Sequence, residues 1–143
     1  GGRLFLELRD KASLAYTVAP LSLAGFDAGY FATYIGCSPE KSQKAIEMMK
    51  AELKKLAETE IAQDELERSQ RYLIGKHDID LQRNSSVGSS ILFSEIYGIS
   101  HKEMEQYADK VNQVSASDIR NLAENLFGKP ELIVAYGAHS PFW

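Results

Sequence analysis

Arg9 and Tyr16 stand seven residues apart in the run Arg3-Leu-Phe-Leu-Glu-Leu-Arg9-Asp-Lys-Ala-Ser-Leu-Ala-Tyr16. Both side chains donate hydrogen bonds, and neither is negative at neutral pH, since guanidinium does not deprotonate and phenol titrates near ~10. Two convergent donors of this kind suit a carbonyl or an oxyanion. The spacing crosses what reads as a helix-to-strand junction, so both would be carried on ordered backbone. Taken alone, the spacing equally accommodates a surface arginine and a tyrosine turned into a core.

Other chemistry is sparse. The sequence holds no G-x-S-x-G, no phosphate-binding P-loop, no G-x-G-x-x-G and neither histidine–glutamate zinc motif. Its histidines are His77, His101 and His139. His77 with Asp78 and Asp80 offers metal-type side chains, but Asp80 lies at i+3 from His77 and that pair is unsupported by a third ligand, so the group reads as a solvated helix face. His101, in a first helical turn, and His139, in the tail, read as surface residues. Cys37 is the one cysteine, which excludes an internal disulfide; it reads as a small buried thiol at a strand end. No metal is expected on this chain.

The elements that must position Arg9 and Tyr16 follow from periodicity. Residues 3 to about 12 read as helix, with Leu4, Phe5 and Leu8 on one face, Glu7 and Lys11 paired at i,i+4, and Arg9 one turn after Phe5. Residues 14 to 20 alternate as a strand, with Leu14, Tyr16 and Val18 on one side and Pro20 at its end or edge. A turn near Gly25-Phe26-Asp27 leads to a second strand over 28 to 37, which predicts an antiparallel hairpin. Ser38-Pro39-Glu40 starts a helix to about Ala57, with Ile46, Met49, Leu53 and Leu56 as its buried stripe. Further helices are predicted from Asp64 to about Leu81, interrupted by Gly75, and from an Asn84 cap to Gly98. Capping boxes at Ser100/Glu103 and Ser115/Asp118 open two more. Leu132 to Tyr136 reads as a final strand.

That order predicts an α+β fold, with an antiparallel sheet (hairpin plus C-terminal strand) packed against several helices. The length, 143 residues, fits one domain or a piece of one, over the whole span 1–143. With 44% apolar and 25% charged residues the composition is that of an ordinary globular protein. A net charge of -4 and the lack of a basic cluster argue against nucleic acid. No apolar run approaches the ~20 residues that span a bilayer, and no signal-peptide pattern is read. The start at Gly1-Gly2, directly before a helical pattern, leads us to expect a piece of a longer protein truncated at its N-terminal side.

The opening run resembles the signature in the C-terminal half of pitrilysin-type (insulinase-like, inverted zincin) zinc metallopeptidases. There a glycine-rich turn precedes S/G-R-L-F-x-x-L-R-x-K-x-x-L-A/G-Y. Gly1, Gly2, Arg3, Leu4, Phe5, Leu8, Arg9, Lys11, Leu14, Ala15 and Tyr16 match it. Weaker similarity continues through Gly29-Tyr30-Phe31, Ser38-Pro39, Asp64-Glu65-Leu66 and Val114-Ser115.

The resemblance implies a clamshell of two halves around a peptide, with zinc and a catalytic glutamate in an N-terminal half bearing H-x-x-E-H. It implies that the later half sends an arginine and a tyrosine to the substrate, here Arg9 and Tyr16, supporting the charged oxygen of the hydrolytic transition state. The peptide would add as a strand to a sheet edge. The chain departs from the full pattern in having no zinc ligands and no base, so alone it is expected not to cleave peptides. Its implied partners are the peptide substrate and the zinc-bearing half of the same protein or a paired subunit. A non-catalytic partner subunit or scaffold of the same family is the alternative. An exposed sheet edge should also promote self-association.

Overall fold

The computed structural model describes residues 2–129 and 131–137, without the side chain of His101. Phe5–Lys11 form the opening helix, which is wound as a π-helix. Its closing bonds include Ala12 N–H to Glu7 O at 3.1 Å, an i→i+5 span. The predicted Glu7–Lys11 ion pair is formed at 2.7 Å.

Two strands follow, β1 (Thr17–Leu23) and β2 (Tyr30–Gly36). They pair antiparallel, from Thr17 opposite Gly36 to Leu23 opposite Tyr30. In the connecting loop a Cβ on Gly25 would lie 2.0 Å from the Ala28 carbonyl oxygen, so only glycine fits there. β1 runs on through Pro20, opposite Thr33, instead of ending at it. The sheet of the described residues has two strands, so each has a free edge where a missing N–H is tolerated.

A 3₁₀ turn, Pro39–Lys41, leads into α1 (Ser42–Glu58). Then come α2 (Gln63–Asp80), α3 (Asn84–Tyr97), a second 3₁₀ turn over His101–Glu103, α4 (Tyr107–Gln113) and α5 (Ala116–Phe127). The chain divides into two compact units, one holding the residues up to Thr59 and again from Leu122 on, the other Glu60–Asn121. In the first, Leu8, Leu14, Val18, Ala45 and Ala123 are buried, and the opening helix packs on β1 and α1. Phe31 tilts against Phe127 with ring centroids 5.5 Å apart. In the second, Leu66 is buried and α2 packs on α4. There Gln70 Nε2 donates to the carbonyls of Val111 (3.1 Å) and Val114 (3.0 Å), closing the end of α4.

The α+β class and the hairpin expected from the sequence are present. The C-terminal strand is not: residues 131–136 have no regular structure, and Leu132, Val134 and Tyr136 lie exposed. The continuous apolar run over 132–136 sets a propensity, but a strand needs a ladder partner, and none is paired to this segment among the described residues. Gly75 does not interrupt α2, which runs through it. The buried positions of α1 are Ala45 and Glu52, beside the expected stripe rather than on it. Arg83, with extended backbone, takes the cap position expected of Asn84, while Gly98 ends α3 with φ +64° as expected.

The Ser100/Glu103 box is not formed either. The Glu103 carboxylate pairs with Lys110 at 2.8 Å, so it is not free to reach back to a cap. The Ser115/Asp118 box is formed reciprocally. Ser115 N–H donates to Asp118 Oδ2 (2.9 Å) and Asp118 N–H to Ser115 Oγ (3.2 Å).

Candidate functional site

Arg9 lies in the last turn of the opening helix, with its guanidinium carbon 4.6 Å from the centroid of the Phe5 ring. That cation–π contact, worth about 0.5–1 kcal/mol at an exposed site, orients the side chain without neutralising it. The residue is exposed, and no carboxylate is paired with it among the described residues.

Tyr16 lies just before β1. Its backbone N–H donates to Gly36 O at 2.8 Å, so the main chain is already held by the ladder. Its side chain is 77% exposed, whereas Leu14 and Val18 on either side of it in the alternation are buried. The expectation that Tyr16 shares their face is therefore corrected. The strand begins at Thr17, and the chain before it is still leaving the helix-closing turn, so the period of two does not extend back to Tyr16.

Both donors thus reach solvent from ordered backbone in the same unit, and no hydrogen bond joins their side chains among the described residues. Phenol and guanidinium in this state can donate to an incoming carbonyl oxygen or to the anion it becomes. A core tyrosine would have been tied up by burial; this one is not.

The histidine candidate is resolved differently. His77 does not lie on a solvated face: its ring stacks on Tyr107 at 4.0 Å and 17°, and Nε2 is buried without a hydrogen-bond partner. Asp80 is engaged by Lys76, first through a hydrogen bond and then by charge, which holds its carboxyl below the usual range. No group of three or more metal-type side chains comes together among the described residues. Cys37 is free and half-buried rather than buried. The surface expectations for the His101 side chain and for His139 fall outside the described residues. No described helix is long and apolar enough to cross a membrane.

Two positioning contacts were not visible in the sequence. Lys41 Nζ donates to Ser13 O at 2.9 Å, and Gln70 clamps α4 as described. Each joins a side chain to a carbonyl more than twenty-five residues away, and residue type at one end carries no signal of the other.

A sequence model described as the peptidase M16 inactive domain matches residues 1–73. An uncharacterized zinc protease of Streptomyces coelicolor is 29% identical over 133 residues, covering 92% of this chain and 29% of that protein. The chloroplastic stromal processing peptidase of Arabidopsis thaliana is 28% identical over 123 residues, 84% of this chain and 10% of that protein. The chain therefore spans less than a third of either relative. Among solved structures, the inactive peptidase domain of a Bordetella parapertussis protein superposes with a TM-score of 0.74 at 20% identity, covering 89% of this chain and 67% of that one. The periplasmic protease PqqL of Escherichia coli gives 0.69 at 19% identity, with 89% of this chain and 14% of that one covered. At these identities the superpositions establish the fold.

Proposed function

The chain belongs to the peptidase M16 inactive-domain family, and from that premise we propose that it is the substrate-facing, non-zinc portion of a zinc-dependent peptidase. In this reading Arg9 and Tyr16 contact the peptide backbone and support the oxyanion of the hydrolytic transition state. The zinc and the catalytic base are supplied by another part of the same protein or by a paired subunit. Residues 1–143 act as one substrate-binding fragment that does not hydrolyse peptides alone.

The observation that carries the reading is the exposure of Tyr16 between two buried neighbours. A tyrosine kept for packing would have followed Leu14 and Val18 inward. Arg9, exposed and steered by Phe5, is the matching donor. Donors fixed before the substrate arrives need little reorganisation as charge develops on oxygen. The chemistry supplied by zinc is not routed through this chain, whose described residues do not assemble a ligand set.

The test is Arg9→Ala in the full-length protein, assayed on an internally quenched peptide. Loss of one such donor is expected to lower kcat/KM by about 10²–10³ with unchanged zinc content. Turnover at the wild-type rate would remove Arg9 from the site. Absence of any peptidase activity in the intact wild-type protein with its zinc half present would favour the scaffold reading instead.

A further inference from the structure

The connection between Arg9 and Tyr16 is held with more care than a surface turn requires. The opening helix ends in two nested bonds, Ser13 N–H to Arg9 O (3.1 Å) and Leu14 N–H to Leu8 O (2.8 Å). Each spans one residue more than the corresponding bond in the usual closing motif of an α-helix, as the π wind demands. The residue at the reversal is Ser13, at φ +50°, the one non-glycine residue with positive φ among the described residues. Glycine would adopt that conformation without steric cost, whereas a serine there is held in it by its surroundings. The residues flanking the motif, Leu8 and Leu14, are buried, which anchors both ends of the reversal.

The remaining restraint comes from a distant part of the sequence. Lys41 closes the 3₁₀ turn that leads into α1, and its ammonium donates to the Ser13 carbonyl at 2.9 Å. One peptide group, between Ser13 and Leu14, is therefore bonded on both sides: its C=O to Lys41 and its N–H to Leu8. Ser13 N–H in turn holds the carbonyl of Arg9 itself. Three residues beyond Ser13, the Tyr16 N–H is fixed to Gly36. A shift of the Ser13 peptide would be passed to Arg9 on one side and to Tyr16 on the other.

We propose that Lys41 is a positioning residue for the Arg9/Tyr16 pair, holding the left-handed Ser13 reversal that sets where both donors point. The inference rests on the reading of Arg9 and Tyr16 as substrate contacts. Among the described residues no hydrogen bond or ion pair joins Lys41 to either donor, and it acts through the Ser13 peptide.

The test uses the full-length, zinc-loaded protein and the same quenched peptide. Lys41→Met keeps the aliphatic stem and removes the donor; it is expected to lower kcat about 10-fold, with KM within about twofold, because small displacements of positioned groups are costly in rate. Lys41→Arg, which restores a donor, should recover most of that loss. In an Arg9→Ala, Tyr16→Phe background, Lys41→Met should cost nothing further, since there are no donors left to position. An equal loss in that background, or wild-type kcat in Lys41→Met while Arg9→Ala is slow, overturns the proposal and leaves the site reading intact. Wild-type turnover in Arg9→Ala and Tyr16→Phe alike overturns the site reading, and the proposal with it. Amide exchange in this chain supplies a readout independent of turnover. Lys41→Met should speed exchange at Leu14, and unchanged protection there would also overturn the proposal.

Discussion

At the scale of single residues, the sequence made Arg9 and Tyr16 legible as donors but not as a site. The residue types give their chemistry; the exposure of Tyr16 does not follow from a pattern of alternation, which would have turned it inward. Asp118 shows a case where residue-level reading carried through. The Ser115 hydroxyl donates to its carboxylate at 2.6 Å and the Ser115 backbone N–H at 2.9 Å. The side-chain bond first, then the backbone bond, hold the Asp118 carboxyl below its usual range, against a smaller opposing effect of burial. A carboxyl lowered on folding contributes stability that is complete above its unfolded value, near about pH 4, and is lost as pH falls through the folded one. Asp118→Asn should therefore flatten the acid side of the stability curve, read by chemical denaturation between about pH 2 and 6. An unchanged acid limb would contradict the assigned bonds. Ser115→Ala should cost about 0.5–2 kcal/mol as a lost cap.

At the scale of elements, the helices are legible in the sequence and their wind and partners are not. Leu4, Phe5 and Leu8 fall on one face whether the helix closes at i+4 or i+5, so the π wind has no signature in the apolar spacing. The hairpin was legible because two β-prone runs are joined by a short glycine-bearing loop. The strand expected at 132–136 had the same local signal and lacked a partner, a non-local fact. Likewise His77 reads as solvated from its neighbours Asp78 and Asp80, although Leu73 and Leu81 lie one turn away on its own face; the ring that covers it, Tyr107 of α4, is non-local. The Gln70 clamp ties α2 to the end of α4. Gln70→Ala should lower stability by about 1 kcal/mol, the net worth of a typical intramolecular hydrogen bond. It should also speed amide exchange in the last turn of α4 relative to α2, and protection equal to that of the wild type would contradict the clamp.

At the scale of the molecule, what composition could not convey is how little of the apolar surface is covered. Leu21, Leu23, Phe26, Tyr30 and Tyr34 of the hairpin region are exposed, and α3 has no buried residue although Ile91, Leu92, Phe93 and Ile96 lie along it. Among the described residues the sheet has two strands with free edges and exposed aromatic residues, and such a sheet pairs readily with other chains. This chain, studied alone, should self-associate as concentration rises, with sedimentation velocity showing a growing dimer or larger species. A single monomeric boundary across a hundredfold concentration range, of order 1–100 µM, would contradict that expectation.

The proposed function requires that the Tyr16 hydroxyl act on the substrate. Tyr16→Phe removes one oxygen from an exposed side chain and leaves the backbone bond to Gly36 in place. The decisive measurement is kcat for Tyr16→Phe in the zinc-loaded, full-length protein, beside its zinc content and melting temperature. The expected result is a fall of about 10²–10³ in kcat with KM, zinc and melting temperature nearly unchanged. Wild-type kcat in that variant would contradict it.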